Sequence, residues 1–379
     1  MRVLVDFTQI PTDRTGVGVY AENLVRELSH EFEHGDELIL LIQKDEQKMR
    51  ELARHSPNVL LVPLSTGLLR HRALLLLYEQ VVLPFVLFWK KIDVVHSLHY
   101  THPLVSPCPR VVTIHDVTFL LFPELHTRGR RLVMPFFIKR AVRRVEALIF
   151  VSKATADDSC KLIPGIKTNL SKIIPLGVDL QGFAVSAEAA NEVLEKLSIL
   201  EPFVLFLGTI EPRKNVLRLV RAFERIAPQY PDLLLVLAGK PGWDCEEVFG
   251  AIELSAHKNR IRHLGFISES EKKALLVKCE ALVYPSLYEG FGLPVLEAMA
   301  AGAPVITSNI SSLPEVVGNA AILTNPVSVE ELADAMKSLI GNDATRDDLR
   351  ARGKLRASEF SWPSVATLTY DLYKQVAKK

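Results

Sequence analysis

What most constrains this chain is an alternation of short apolar runs, rich in Val, Ile and Leu, with helical patterns, in two successive series. The first series comprises VLVDF (3–7), ELILLI (37–42), VLLVPL (59–64), DVVHS (93–97), RVVTIHD (110–116), ALIFVS (147–152) and KIIPLG (172–177). The second comprises FVLFLG (203–208), LLLVLAG (233–239), IRHLGF (261–266), ALVYPS (281–286), PVITS (304–308) and the short AAILT (320–324). Runs this apolar suit strands buried on both faces. Helical patterns between them, such as 20–32 and 130–145, imply parallel sheets built from βαβ units. The expected fold is α/β, with two Rossmann-like domains facing a cleft: residues 1–180 and residues 181–361. Ser361-Trp362-Pro363 then caps an amphipathic end, 362–379, expected to cross back to the first domain.

Composition narrows the function class. Of 379 residues, 48% are hydrophobic and 23% charged, which excludes disordered, collagen-like and coiled-coil chains. Lys and Arg total 45 against 44 for Asp and Glu, so no nucleic-acid partner is expected. Cys108, Cys160, Cys245 and Cys279 are isolated, which indicates neither a zinc site nor a disulfide framework. Met1-Arg2 leads straight into an apolar strand with no cleavage-site pattern, and a reduced, cytoplasmic setting is expected. The most apolar stretch, 73–89, is interrupted by Glu79, Gln80 and Pro84 and reads as a buried or interfacial helix. In Arg128–Arg144, seven bases (Arg128, Arg130, Arg131, Lys139, Arg140, Arg143, Arg144) are interleaved with Leu132, Phe136 and Phe137 and no acid. Such a segment is either a solvated helix face or a patch that meets an anionic membrane.

Four motifs can carry chemistry. Gly16-Val17-Gly18, after Thr15, opens a helix behind the first strand, where glycines let the backbone approach a phosphate or sugar. Ala21 stands where a dinucleotide fingerprint would place its third glycine, and a ligand-free tight loop is the alternative. His115 and Asp116 end one strand, and His96, His99 and Tyr100 end its neighbour, the end of an open sheet where ligands bind. No carboxylate spacing completes a metal motif there, and His96 and His102 read as structural. His99 and Tyr100 are the candidates on the acceptor side. The third motif, Gly208-Thr209-Ile210-Glu211-Pro212-Arg213-Lys214-Asn215, offers two cations at a strand end before a helix, suited to a diphosphate. The fourth joins a strand to a helix through Glu289-Gly290-Phe291-Gly292-Leu293-Pro294, with Glu297 about one turn into the helix. The glycine loop presents N–H groups at a positive helix end, while Glu289 and Glu297 would repel phosphate and accept hydrogen bonds from sugar hydroxyls. The chemistry is therefore that of a diphosphate between flanking sugars.

The Glu289-to-Glu297 pattern, with Glu211-Pro212-Arg213-Lys214-Asn215, resembles family 4 glycosyltransferases of the GT-B fold over essentially the whole sequence. The resemblance implies transfer of a sugar from a nucleotide diphosphate sugar with retention and without a metal or other cofactor. It also implies roles. Glu289 holds donor-sugar hydroxyls and Glu297 the ribose; Lys214 binds phosphate; His115 contacts the donor sugar; Gly16 and Gly18 close over the substrates; Phe266 and Ile267 meet the base. Many relatives have Gly-Arg where this chain has Gly208-Thr209, and Arg213 is the candidate to replace that missing phosphate ligand. The Glu-Pro-Arg-Lys-Asn loop resembles bacterial mannosyltransferases of O-antigen and exopolysaccharide synthesis, which implies GDP-mannose as donor, with UDP-hexoses next. The implied acceptor is a glycan, lipid-linked where the enzyme sits peripherally at the inner face of a membrane. Two rivals from the residues alone are a Rossmann dehydrogenase using Gly16 and Gly18, which leaves the second half unexplained, and a non-catalytic sugar-nucleotide-binding protein.

Overall fold

A computed structural model describes residues 1–10, 14, 16–64, 71–125, 128–165 and 170–378. The chain divides into two compact units, one of Met1–Gly177 with Ser361–Lys379 and one of Val178–Phe360. Each is built on a parallel sheet with helical connections. The first unit contains β1 (Arg2–Asp6), β2 (Glu37–Ile42), β3 (Val59–Pro63), β4 (Val94–Ser97), β5 (Arg110–Ile114), β6 (Ala147–Phe150) and β7 (Ser171–Ile173), in the order β3-β2-β1-β4-β5-β6-β7. The second contains β8 (Phe203–Leu207), β9 (Leu234–Ala238), β10 (Ile261–Gly265), β11 (Ala281–Tyr284), β12 (Val305–Ser308) and β13 (Ile322–Thr324), in the order β10-β9-β8-β11-β12-β13. Both sheets thus start at their middle, run outward to one edge, and return to the middle before running to the other.

The central strands are apolar because helices cover both their faces: every residue of β8, β9, β11 and β12 is buried. The expectation of burial on both faces fails at the edges. Leu60 in β3, Ile173 in β7 and Leu323 in β13 are exposed, because an edge strand lacks a neighbour whose connecting helix would cover it. The Gly16–Glu31 helix begins four residues before the expected 20–32 pattern. Gly16 and Gly18 therefore lie in its first turn and not in a loop ahead of it, which corrects that expectation.

The last helix, Trp362–Ala377, belongs to the first unit and packs along the Gly16–Glu31 helix. Ser361 caps it by accepting from Ser364 N. Its side chains lock onto the sheet through polar contacts as well as apolar ones. The Tyr373 hydroxyl meets His96 Nδ1 at 2.6 Å, and His96 Nε2 meets Thr113 Oγ1 at 2.8 Å. Tyr370 packs against Phe32 with the rings tilted, 4.9 Å between centroids, and donates to Asp36, which also holds the N-terminal ammonium. The chain enters this helix under tight steric control: a Cβ on Gly177 would stand 2.4 Å from the backbone nitrogen of Trp362.

That contact predicts that Gly177→Ala destabilises the first unit by about 1–3 kcal/mol, since backbone cannot move aside as a side-chain tip can. Gly250→Ala, in the exposed interior of the Glu246–Leu254 helix with nothing within 4 Å, should instead gain about 1 kcal/mol from helix propensity. Denaturant midpoints of the two variants beside wild type test the pair; equal midpoints for Gly177→Ala and wild type would refute the contact.

Candidate active site

In a parallel open sheet, adjacent strands whose connections leave in opposite directions open a crevice at their carboxyl ends. The strand orders put these crevices beside β1 and β4 in the first unit and beside β8 and β11 in the second. The third and fourth motifs are the two loops that follow β8 and β11. Leu287 N donates to Arg213 O at 2.8 Å, and Asn215 Nδ2 donates to Pro285 O at 2.9 Å and to Pro326 O at 2.7 Å. Asn215 spends its side chain on these carbonyls while its backbone turns through φ 61°, a conformation asparagine tolerates better than most residues. The helix expected near 215 starts at Val216, after a short 3-10 turn over Pro212–Lys214.

The two loops converge on Glu289. Lys214 Nζ lies 2.6 Å from Oε1 and an Arg213 guanidinium nitrogen 3.0 Å from Oε2. Ser286 Oγ donates to Oε1 at 2.6 Å, and the Tyr284 hydroxyl, stacked flat on Phe206, donates to it at 3.1 Å while accepting from Lys214. Arg213 also grips Glu211 at 2.7 Å and the carbonyl of Tyr288 at 2.7 Å. Burial opposes the charge of Glu289, but the Arg213 and Lys214 cations hold its carboxyl down at about 2. Burial pushes the Lys214 ammonium below its usual range, against the attraction of Glu289. Glu289 is expected to accept from hydroxyl groups; Ser286 and Tyr284 supply two, and its oxygens also hold the two cations.

Past Glu289 the chain turns into the Leu293–Ala301 helix. Gly292 is its N-cap at φ 106°, and a Cβ there would lie 2.8 Å from Leu313 Cδ2. Pro294 is the second residue of that helix. Ser312 Oγ donates to Glu289 O at 2.9 Å and to Phe291 O at 2.8 Å, which fixes the Glu289–Leu293 loop against the rest of the unit. Glu297 sits apart from the cation pair, with Lys272 Nζ 2.8 Å from Oε1; burial raises its pKa and Lys272 opposes the rise. Phe266 and Ile267 follow β10, where the Phe266 ring is exposed with Lys240 Nζ 4.5 Å above its centroid.

In the first unit, His115 lies at the end of β5. Its Nε2 meets Leu98 O at 2.9 Å; a carbonyl only accepts, so Nε2 carries the proton and Nδ1 the lone pair. Burial lowers its pKa. Burial also takes His99 down to about 3, and coupling to the neighbouring His115 lowers it further. Tyr100 packs edge-on against His99 and Phe119. Gly16 is exposed, with nothing near a would-be Cβ, whereas Gly18 lies under the Arg14 side chain, 3.1 Å from a would-be Cβ. Thr15 lies outside the described residues. Among the described residues no three His, Cys, Asp or Glu side chains gather to hold a metal ion, and no helix is long and apolar enough to cross a membrane.

Several residues went unnoticed in the sequence. Tyr284 and Ser286 engage Glu289 from within the quoted strand-to-helix stretch, where only their nearness to Glu289 marked them. Lys272 reaches Glu297 from a helix with no motif. The first unit's crevice holds Asp6 and Glu79, both buried. Glu79 accepts from Gln9 at 3.0 Å and Thr101 at 2.8 Å, and burial, with Asp6 adding to it, pushes its carboxyl up to about 8.

Comparison with known proteins agrees with this architecture. Residues 14–181 match the family described as Glycosyltransferase Family 4, and residues 194–356 the family described as Glycosyl transferases group 1. The O-antigen chain mannosyltransferase B of Escherichia coli is 29% identical over 99% of this chain and 100% of its own length. A glycogen synthase of Mycobacterium tuberculosis is 31% identical over 74% of this chain and 68% of its own. The crystal structure of Anabaena HepE in complex with UDP and glucose has a TM-score of 0.78, covering 99% of this chain and 100% of that one at 19% identity. The chain belongs to the family 4 glycosyltransferases and has the GT-B fold.

The Glu289 cluster carries its own pH signature. A carboxyl held at about 2, below its ordinary 4.5, adds stability that is present above the ordinary value and is lost as pH falls through the lower one. Wild type should therefore exceed Glu289→Gln in urea midpoint at neutral pH, and the lead should shrink between about pH 4.5 and 2. A lead that does not change with pH would show that shape, and not charge, is what the substitution removes.

Proposed function

We propose that this glycosyltransferase moves mannose from GDP-mannose to a glycan acceptor, with retention and without a metal ion, in the synthesis of a cell-surface polysaccharide. The observation that carries the reading is the convergence of Lys214, Arg213 and Glu289 where the loops after β8 and β11 meet. The likeness to an O-antigen mannosyltransferase over the full length of both chains supports the choice of sugar.

The charges suggest how the donor is received. Lys214 and Arg213 are cations already desolvated and positioned, so the diphosphate takes over from Glu289 as their partner. Glu289, still anchored by Ser286 and Tyr284, is then available to accept from sugar hydroxyls. Glu297 accepts from the ribose and Phe266 and Ile267 flank the base. As the bond from the anomeric carbon to the diphosphate oxygen breaks, negative charge grows on the leaving group, where Lys214, Arg213 and the N-terminus of the Leu293–Ala301 helix stabilise it. The acceptor oxygen bonds to the same face of the anomeric carbon and its proton passes to the departing diphosphate oxygen. His115, neutral and with its proton committed to Leu98 O, contacts the donor sugar, while Gly16 and Gly18 close over the substrates and His99 and Tyr100 line the acceptor side. The acceptor is lipid-linked, and Arg128–Arg144 brings the enzyme to the cytoplasmic face of the membrane.

Transfer assays with GDP-mannose and a panel of UDP-hexoses test the donor; turnover with a UDP-hexose alone would replace mannose in this reading. Lys214→Ala should lower kcat/KM by two or more orders of magnitude, about 3 kcal/mol of lost leaving-group stabilisation. Arg213→Ala should also lose activity at saturating donor, and full activity would remove Arg213 from the phosphate site. Excess EDTA should leave turnover intact. Loss on chelation that Mg²⁺ or Mn²⁺ restores would overturn the metal-free mechanism.

A further inference from the structure

The Arg72–Trp89 helix carries an acid where its core pattern calls for a leucine. Phe85, Phe88 and Trp89 lie on its exposed side. On the buried side Leu75, Leu83 and Leu87 pack with Leu4, Ile39 and Val95. Four-residue spacing puts side chains on one helix face, and Glu79 takes the remaining position in that row. It is 2% exposed. Core packing asks for no carboxyl there, and a buried one is costly unless hydrogen bonds meet its oxygens.

The partners of Glu79 lead to one stretch of chain. Its Oε2 accepts from Thr101 Oγ1 at 2.8 Å and from Gln9 Nε2 at 3.0 Å, and Gln9 also donates to Thr101. Its Oε1 accepts from Gln80 Nε2 at 3.1 Å. Gln80 in turn donates to His102 O at 3.0 Å and accepts from Leu104 N at 3.0 Å. Residues 98–109 belong to no helix or strand, so side-chain bonds from the helix hold this backbone. The same stretch carries His99, Tyr100 and Leu98 O, which meets His115 Nε2 at 2.9 Å. No base compensates the acid. Asp6, buried at the end of β1 and held by Thr8 N at 2.9 Å and Thr8 Oγ1 at 2.6 Å, adds its negative charge. Among the described residues no lysine or arginine pairs with either carboxyl. Two such groups cannot both ionise cheaply. The Thr8 donors favour the charged form of Asp6, and Glu79 keeps its proton up to about 8. Around it, burial takes His99 to about 3 and His102 to about 4 and raises Tyr78 above its ordinary 10. None of those three changes charge between about pH 5 and 8.

We propose that Glu79 is a positioning residue for the acceptor side of the reaction: as a neutral carboxyl it fastens the 98–104 segment, and with it His99, Tyr100 and the Leu98 carbonyl beside His115, to the core-packed helix. The inference rests on the placing of His99 and Tyr100 beside the acceptor in the proposed reaction. The sign of its pH dependence follows from the burial. Opening the segment admits water and returns Glu79 to its ordinary 4.5, so the closed crevice binds the proton more tightly than the open one. Closure is therefore strongest below about pH 4.5, weakens by up to about tenfold per pH unit as pH rises, and levels off above about 8. Glu79→Gln keeps an oxygen for Thr101 and Gln9 and has no proton to lose.

The test is amide hydrogen exchange of the full chain at about pH 6 and about pH 8, corrected for intrinsic rates and read on residues 98–104, Leu104 above all. Wild type should lose about tenfold or more in protection across that interval, and Glu79→Gln should lose none. Glu79→Leu, which completes the apolar row and so keeps the fold, should be poorly protected at both values. Turnover with GDP-mannose and methyl α-mannoside as acceptor probe supplies the second readout. The acceptor KM should rise over the same interval in wild type and stay level in Glu79→Gln, while the KM for GDP-mannose moves in neither. Wild-type protection that does not change with pH, or an equal fall in Glu79→Gln, would overturn the inference. So would a segment that loosens while the acceptor KM stays level. Absence of turnover with GDP-mannose counts against the donor reading alone, and the exchange of 98–104 then still decides for or against Glu79.

Discussion

A carboxylate as buried as Glu289 persists in its charged form only when fixed cations lie against it, and much of the second unit is arranged to supply them. Lys214 and Arg213 come from a loop far away in sequence, so β8 and β11 must be neighbours although β9 and β10 lie between them in the chain. The reversal of strand order beside β8 is what makes that possible. The loops are then tied together by backbone and side-chain bonds that involve no charge: Leu287 to Arg213, Asn215 to Pro285, Ser312 to Glu289 and Phe291. These bonds hold the cluster in place when its internal pairing changes. A buried pair is costly to break by removing one partner, but exchanging one anion for another leaves both cations compensated. In the proposed reaction a diphosphate that took both cations would keep them compensated, and Glu289 would then rely on Ser286, Tyr284 and the hydroxyls of the donor.

The same reasoning separates Glu297 from Glu289. Their carboxyls stand on one motif, yet Glu289 meets two cations and two hydroxyls, whereas Lys272 faces Glu297. The result is opposite: Glu289 is held well below the ordinary carboxylate range, and Glu297 is raised above it by burial that one lysine does not fully offset. Two acids eight residues apart thus offer a ligand different chemistry, one a firm anion and the other a carboxyl more readily protonated. That contrast suits the proposed donor site, in which neutral hydroxyls would lie beside a diphosphate.

Strand positions were legible because central parallel strands leave little choice of composition: FVLFL and ALVY can only be buried on both faces. Edge strands were legible as strands but not as edges, since Ile173 and Leu323 are as apolar as their buried counterparts and only topology exposes them. The Gly16–Glu31 helix starts earlier than propensity indicates, because Gly16 and Gly18 read as loop residues; Gly18 packs under Arg14 and Ile10, while Gly16 is exposed. In the candidate site, Lys214, Arg213 and Glu289 carried a local signature of charge beside glycine and proline. Lys272 and Tyr284 did not: what makes them matter is distance in space to a partner, and single-residue patterns hold no record of that. The outward face of the Arg72–Trp89 helix was likewise hidden, because a stretch apolar all round has no periodicity from which to tell a buried side from an exposed one.

In the first unit, the position of His115 depends on residues at the far end of the chain. Its ring is fixed by Leu98 O on one side and by the edge of Tyr20 on another, at 4.9 Å between centroids. The Tyr20 hydroxyl is itself held by Thr113 Oγ1 at 3.0 Å, which His96 also contacts, and His96 in turn meets Tyr373 on the last helix. Burial keeps His96 neutral, with its pKa lowered to about 3, so it brings one N–H and one lone pair to two hydroxyl partners. Each hydroxyl can then both give and receive, and the chain from Tyr373 to Tyr20 is satisfied only if all four groups are present. Apolar packing alone would let the last helix slide along the Gly16–Glu31 helix, because apolar contacts are indifferent to small shifts. A buried hydrogen-bonded chain is not, since a shift leaves its members unpaired where water cannot replace the bond. The last helix therefore does more than cover an apolar face: through His96, Thr113 and Tyr20 it sets where the His115 ring can stand.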